Sequence, residues 1–224
     1  MSALNFTKVT EGQTLNFAKD FGEAVNGTIS FNLNWGKING RSVDLDAILV
    51  TKSNGQPYAA QEVVTKKAGF LSKLFGGKDE TTTVPAGQSR PGVKDCIYFG
   101  NKRSQGVLHH GDDLTGAWAK GEFIEVDLNS LPADVDELVF SVISFSGHDF
   151  SALPFASFEA FTGKPSRPGR GLVSYELTQF DRGVKACVLA QVTKNASGEW
   201  EVTAKKVEGR SGSVNAAKDL SRNV

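Results

Sequence analysis

Short stretches of alternating apolar and polar residues run along the chain, and glycine, proline and asparagine separate them. Residues 28–35 and 123–128 alternate, which is typical of strands with one buried face. Residues 138–145 are almost all apolar, which indicates a strand buried on both faces. Five further β-rich runs cover residues 45–51, 95–99, 172–177, 186–193 and 200–204.

About eight short strands with no long helical period between them argue against alternating βαβ units. The pattern predicts an all-β protein, an antiparallel β-sandwich of two packed sheets with a few short helices. The short helices are expected at residues 132–137, at 155–161 and in the C-terminal tail. We expect one domain over residues 1–214, followed by a polar tail at 215–224.

One long insertion, at about residues 55–92, interrupts the strand pattern. Loops of this length inside a domain are uncommon and often functional. Its centre has apolar residues at helical spacing between lysines: Ala68, Phe70, Leu71, Leu74 and Phe75, flanked by Lys66, Lys67, Lys73 and Lys78. We favour a short helix packed back onto the sandwich. The alternative is an amphipathic segment that contacts a partner protein or a membrane surface.

Composition limits the function classes. Lys+Arg and Asp+Glu both number 25, so the chain has no overall basic footprint for nucleic acid. Cys96 and Cys187 are too few for a disulfide scaffold or a four-cysteine zinc site. The sequence shows no signal peptide and no membrane-spanning stretch, so we expect a cytoplasmic protein with reduced cysteines.

Charge is unevenly distributed despite the balanced total. Residues 112–149 contain nine carboxylates and a single basic residue, Lys120. Such a stretch is either a solvated acidic face or a set of oxygen ligands that needs a cation to offset its repulsion.

The spacing of some of these residues favours a cation. Asp44 and Asp46 lie two residues apart and share one face of an extended strand. Asp112, Asp113 and Thr115 fall within a turn bracketed by glycines, and Glu122 follows it. Ca²⁺ accepts six to eight oxygen ligands in forgiving geometry, so these residues suit it, although they do not form an EF-hand loop.

Enzymatic interpretations have less support. His109, His110 and His148 are residue types that bind zinc, but adjacent histidines on a strand point to opposite faces. A Ser-His-Asp triad would need a spatial arrangement that the sequence does not indicate, and neither a G-x-S-x-G elbow nor a phosphate-binding loop is present. Cys96 lies in a predicted strand, where a small core residue is expected. We therefore expect no enzyme.

Two motifs carry a family resemblance: residues 96–101 (CIYFGN) and 110–116 (HGDDLTG). With weaker blocks at residues 12–19, 29–35, 44–47, 124–128, 131–132, 175–177 and 198–200, the chain resembles the TerD family of tellurium-resistance and bacterial stress proteins. The resemblance implies a compact β-sandwich that binds Ca²⁺ through acidic loops. The ligand candidates that it implies are Asp44, Asp46, Asn101, Asp112, Asp113, Thr115 and Glu122.

The chain departs from the family pattern at two places. Residues 117–122 read AWAKGE where the family usually has a run of acidic residues, and Gly36 follows Trp35 where an aspartate is usual. These departures predict fewer calcium ions than a typical family member holds, namely one.

The sequence thus predicts a non-enzymatic calcium-binding protein of tellurium resistance or stress response. The alternative is an interaction module in which residues 66–78 contact other stress-response proteins and the metal site is vestigial.

Overall fold

The computed structural model describes residues 4–22, 27–57, 62–66, 80–84, 95–113 and 121–224, with the backbone only for 62–66 and 80–84. The strands are β1 (Thr7–Lys8), β2 (Thr14–Asn16), β3 (Thr28–Trp35), β4 (Asp46–Ser53), β5 (Gln56–Pro57), β6 (Glu62–Lys66), β7 (Glu80–Val84), β8 (Cys96–Ile97), β9 (Arg103–Ser104), β10 (Val107–His109), β11 (Glu122–Asp127), β12 (Glu137–Ile143), β13 (Ala156–Lys164), β14 (Arg167–Leu177), β15 (Ala186–Lys194) and β16 (Trp200–Gly209). Helix α1 spans Phe17–Phe21, a 3₁₀ helix spans Phe150–Ala152, and helix α2 spans Val214–Ser221.

Two seven-stranded sheets form the body of the fold. The first has the order β1-β14-β13-β3-β11-β10-β9. The second has the order β2-β16-β15-β12-β4-β5, and β8 also pairs with β4. All strand pairs in both sheets are antiparallel except β1 with β14. This arrangement confirms the predicted all-β fold class.

Aromatic side chains join the inner faces of the two sheets. Phe31 of β3 lies 4.2 Å from Phe140 of β12, measured between ring centroids. Phe158 of β13 contacts both rings, at 5.6 Å and 5.4 Å. Alternation puts every second residue of β3 on this inner face, as the sequence predicted. Burial of such large apolar side chains is the main stabilising contribution to a sandwich.

Strand β12 is buried along its whole length, as its apolar sequence predicted. It lies between β4 and β15, and its outer face is covered by helix α2. Ser213 caps this helix by accepting a hydrogen bond from the Ala216 backbone N–H at 3.1 Å. The short helix predicted in the C-terminal tail is therefore confirmed, and it packs on the second sheet through Ala217 and Leu220.

A buried ion pair ties α2 to the same sheet. Lys52 is almost wholly buried, and its Nζ donates to Oε1 of Glu137 at 2.7 Å and to the backbone carbonyl of Ser221 at 2.6 Å. Lys52 and Glu137 are directly opposite each other on β4 and β12. Ser221 is the last residue of α2, where helix carbonyls lack intrahelical partners and a cation is favoured.

Two predicted helices are wrong. Residues 132–137 form a turn that leads into β12, and most of 155–161 lies in strand β13. In β13, Ala156, Phe158 and Ala160 face the core, whereas Phe161 lies on the outer face against Phe123. The phenylalanines at three-residue spacing mimic a helical stripe but point to opposite faces of the sheet.

The insertion contains a strand pair separate from the two large sheets. Strands β6 and β7 pair with each other, with Lys66 opposite Glu80. The apolar residues expected to form a helix, within 67–79, lie outside the described residues. Among the helices that the structure describes, none is long and apolar enough to cross a membrane.

Candidate metal centre

Acidic residues from two distant parts of the chain meet at one end of the sandwich. Asp44 precedes β4 and Asp46 is its first residue, whereas Asp112 follows β10. Glu122 begins β11, where it is paired with Leu33 of β3. The strand ends of both sheets therefore bring together residues that lie far apart in sequence.

One carboxylate oxygen from each of Asp44, Asp46 and Asp112 lies within 4.8 Å of the others. We call these three residues the acidic cluster. Ca²⁺ binds oxygens at 2.3–2.6 Å, so two ligands on one ion are separated by at most about 5 Å. The separation of these three oxygens therefore fits ligands of one calcium ion.

Two oxygens of the cluster are buried and have no hydrogen-bond partner among the described residues, Oδ1 of Asp44 and Oδ2 of Asp46. Asp46 is only 2% exposed, so water is poorly able to supply the missing hydrogen bond. An unsatisfied buried oxygen on an acidic side chain is costly, and a bound cation is one way to satisfy it.

The electrostatics of the cluster also favour a positive charge. Burial, followed by the nearby carboxylates of Glu122, Asp44 and Asp112, raises the pKa of Asp46 to about 7. Burial and the neighbouring Asp112 raise the pKa of Asp44, against a smaller opposing effect of His148. Carboxylates placed this closely repel each other when ionised, and a cation would relieve that repulsion.

Glu122 lies next to the cluster: it hydrogen-bonds the Asp112 side chain, and both of its oxygens accept backbone hydrogen bonds. The Ala47 backbone N–H donates to Oε2 at 2.6 Å, and the Asp113 backbone N–H donates to Oε1 at 3.1 Å. Burial, as the largest effect, raises the pKa of Glu122 to about 8. This side chain therefore joins the segment that carries Asp46 to the segment that carries Asp112.

His109 lies next to Glu122 in the buried part of the site, although its histidine neighbour His110 faces away from it. Its Nδ1 accepts a hydrogen bond from the Gly111 backbone N–H at 3.1 Å, so its proton is assigned to Nε2. That nitrogen lies 3.4 Å from Oε2 of Glu122. Burial lowers the pKa of His109 to about 4, so the ring is neutral. Its position on the inward face of β10 was the available signal in the sequence for this placement.

Of the other predicted ligands, the structure describes Asn101 and Asp113. The Asn101 side chain donates to the backbone carbonyl of Cys96 at 2.6 Å, which stabilises the turn after β8. Asp113 lies next to the acidic cluster: its backbone N–H donates to Glu122, and its carboxylate, although not one of the three within 4.8 Å, helps to raise the pKa of Asp44. Thr115 lies outside the described residues.

Of the other candidates for chemistry, His148 is close enough to lower the pKa of Asp44, whereas His110 and the two cysteines form no contact with the cluster among the described residues. His110 lies on the opposite face of the strand from His109, with Nε2 3.0 Å from Oε2 of Glu125. The thiols of Cys96 and Cys187 are free and buried, and burial raises the pKa of each to about 12.

Comparisons with known proteins address the identity of the fold. Residues 84–216, more than half of the chain, match the sequence model of the TerD domain family. The chain is 34% identical over 146 residues to the tellurium resistance protein TerZ of Serratia marcescens, covering 62% of this chain and 72% of TerZ. It is 30% identical over 154 residues to the stress response protein SCP2 of Bacillus subtilis strain 168, covering 63% of this chain and 75% of SCP2.

Solved structures agree at the level of the fold. The crystal structure of a homologue of the telluride resistance protein TerD from Streptomyces coelicolor A3(2) has a TM-score of 0.53 at 18% identity, covering 87% of this chain and 97% of the homologue. A crystal structure of a protein of unknown function gives a TM-score of 0.52 at 15% identity, covering 87% and 96%.

Proposed function

The chain belongs to the TerD family, and from this premise we propose that it is a cytoplasmic, non-enzymatic protein of tellurium resistance or stress response that binds Ca²⁺ at the acidic cluster. The observation that carries the calcium proposal is the buried Oδ2 of Asp46, which has no hydrogen-bond partner among the described residues. One carboxylate oxygen of Asp46 also lies within 4.8 Å of an oxygen from each of Asp44 and Asp112.

The ligand chemistry supports Ca²⁺ over Mg²⁺. The cluster offers carboxylates on loops and strand ends, and Asp112 is exposed, so water completes the coordination. Mg²⁺ retains its waters and requires near-octahedral geometry, whereas Ca²⁺ tolerates irregular oxygen sites. We propose one ion per chain, because residues 117–121 lack the acidic run that the family usually has.

The proposal assigns the site a binding role. Carboxylates that converge on a cation can hold a structural or regulatory ion without further chemistry. Tellurite reduction would need an accessible thiolate, and the buried thiols of Cys96 and Cys187, with pKa values raised to about 12, do not provide one.

Calorimetry tests the proposal directly. We expect the protein to bind one Ca²⁺ per chain and to bind Mg²⁺ much more weakly. Asp112→Asn should weaken Ca²⁺ binding most, because it removes a charge from the turn. Asp134→Asn is the matched control: it removes an exposed carboxylate of the same acidic stretch before β12, at the other end of the sandwich, and should leave the affinity unchanged. Equally weak millimolar binding of both ions would reject the proposal.

A second candidate function is an interaction module centred on the insertion. It is favoured by the separate strand pair of β6 and β7, which joins neither large sheet. The register of this pair brings Lys66 opposite Glu80, so a two-residue Asn-Gly turn can replace residues 67–79.

Thermal melting of that replacement variant tests the second candidate. If residues 67–79 form an interaction arm, the melting midpoint should stay within about 2 °C of the parent, which corresponds to less than about 1 kcal/mol for a chain of this size. A fall of many degrees would show that these residues pack onto the sandwich, and would reject the arm.

A further inference from the structure

One aromatic ring stands exposed beside the acidic cluster. Phe145 is 49% exposed, and it is the only large apolar residue with an exposed side chain among those that the structure describes. Its ring packs edge-on against Phe99 at 5.6 Å, and Phe99 packs in the same way against Tyr98 at 5.5 Å. These contacts hold the ring at the surface with one face open to solvent.

Phe145 is joined to the cluster through its backbone. Its N–H donates a hydrogen bond to the Asp46 carboxylate. The hydroxyl of the next residue, Ser146, donates to the backbone carbonyl of Asp44 at 3.2 Å. The exposed ring and the candidate calcium ligands therefore belong to one small surface.

Two lysines flank the same surface. The Nζ of Lys102 lies 3.8 Å from the point where a Cβ on Gly111 would be, next to Asp112. The Nζ of Lys185 lies 4.0 Å from the equivalent point on Gly147, two residues after Phe145. Neither lysine forms an ion pair with any residue in the described part of the chain.

We propose that this surface, formed by the acidic cluster, Phe145, Lys102 and Lys185, docks onto anionic phospholipid membranes when Ca²⁺ is bound. The inference rests on the proposed calcium site. Without the ion, three carboxylates repel lipid phosphates. A bound cation would offset that repulsion and could accept a phosphate oxygen as a ligand, while the lysines attract the headgroups and Phe145 enters the interface.

A bilayer fits this surface better than a folded protein partner does. Stable protein interfaces bury about 800 Å² on each partner around an apolar centre. The only large exposed apolar side chain of the described residues is a single ring, which is enough to enter a headgroup layer but not to form such a centre.

Vesicle co-sedimentation tests the inference with the full chain. The vesicles are phosphatidylcholine alone or phosphatidylcholine with 30% phosphatidylglycerol, each in Ca²⁺ and in EGTA. We expect binding to the anionic vesicles in Ca²⁺ and at least tenfold weaker binding in EGTA. Lys102→Ala and Lys185→Ala should each weaken binding roughly fivefold. Lys194→Ala removes an exposed lysine at the opposite end of the sandwich and should change nothing.

Phe145→Ser separates this inference from the proposed function. It should weaken vesicle binding roughly fivefold or more, while calorimetry shows unchanged Ca²⁺ affinity. Normal Ca²⁺ binding by the parent without vesicle binding would overturn the membrane inference and leave the calcium site standing. An absence of Ca²⁺ binding would reject the calcium site itself. Calcium-dependent self-association without vesicles, lost in Phe145→Ser, would assign the surface to a protein contact and overturn the inference.

Discussion

At the scale of single residues, Glu122 differs from the aspartates of the acidic cluster. Both of its oxygens accept backbone hydrogen bonds, so we expect it to hold the ligand-bearing segments in place rather than to bind the ion itself. We expect Glu122→Gln to weaken Ca²⁺ binding by about 10–100-fold, the usual effect of removing a group that orients metal ligands.

Terbium luminescence distinguishes this positioning role from direct ligation. The number of water molecules on bound Tb³⁺ should be the same in Glu122→Gln and in the parent, but higher in Asp112→Asn. A gain of one water in Glu122→Gln would make Glu122 a ligand. Glu125→Gln is the control, because Glu125 lies on the outer face of the same strand and contacts His110 and Lys164.

The buried titratable groups give the metal-free protein a characteristic pH dependence. The pKa of Asp46 is raised from 3.8 to about 7, and that of Glu122 from 4.5 to about 8. The unfolded chain releases these protons at lower pH than the folded protein does. Their stabilising contribution is therefore complete below about pH 4 and is lost as the pH rises to about 8.

The pKa shift of His109 changes the stability in the opposite direction, and it does so over a lower pH range. Its pKa falls from 6.5 to about 4 on folding, so stability decreases as the pH falls below about 6.5. Between pH 6.5 and 8 only the two carboxylates contribute among these three groups. In EDTA the melting midpoint should therefore fall from pH 6.5 to 8, and less steeply in Asp46→Asn. A midpoint that rises over this range would contradict the assignment.

Part of the site could be predicted at this scale. The two-residue spacing of Asp44 and Asp46 and the glycines around Asp112 identified the three residues that converge. The hydrogen bonding of Glu122 could not be predicted, because it depends on the backbone N–H of Ala47, which lies far away in sequence and meets Glu122 only in the folded sandwich.

At the scale of elements, helix α2 is attached to the second sheet by a buried charge. Replacing Lys52 with alanine leaves Glu137 buried without its cation and the Ser221 carbonyl without a donor. We expect a loss of about 3–5 kcal/mol in the free energy of unfolding, the usual cost of breaking a buried pair. Urea denaturation measures this loss, and we expect the m-value to stay unchanged.

Lys218 provides the matched control. It lies on α2 itself and pairs with Asp95 at 2.7 Å, but both side chains are partly exposed. Lys218→Ala should cost less than about 1 kcal/mol, because solvent screens the pair. Equal costs for the two variants would mean that burial of Lys52 contributes little.

Element types were predictable where alternation was clear, as in β3 and β11, or where a short run was wholly apolar, as in β12. Strand β13 was missed because its alanines have weak strand preference and its phenylalanines recur at helical spacing. A helix in the C-terminal tail was predicted, but its packing was not, because its few apolar residues become buried only against the outer face of the second sheet.

At the scale of the whole molecule, a bound ion should stabilise the entire sandwich. Anything that binds only the folded state adds about 2.7 kcal/mol at one hundred times its dissociation constant. For a chain of this size that raises the melting midpoint by roughly 5–10 °C. We expect this shift in saturating Ca²⁺ for the parent and its loss in Asp112→Asn. An equal shift in both proteins would place the ion elsewhere.

The acidic cluster is made from two segments that lie far apart in sequence, and this separation determines at which stage of folding the cluster can form. Asp44 and Asp46 meet Asp112 only after the ends of both sheets have come together, one of the late and entropically costly closures of an antiparallel sandwich. A rate-limiting barrier crossed before that closure is insensitive to the ion. Bound calcium should then lower the unfolding rate and leave the folding rate unchanged, so the native state of the calcium-bound protein lasts longer.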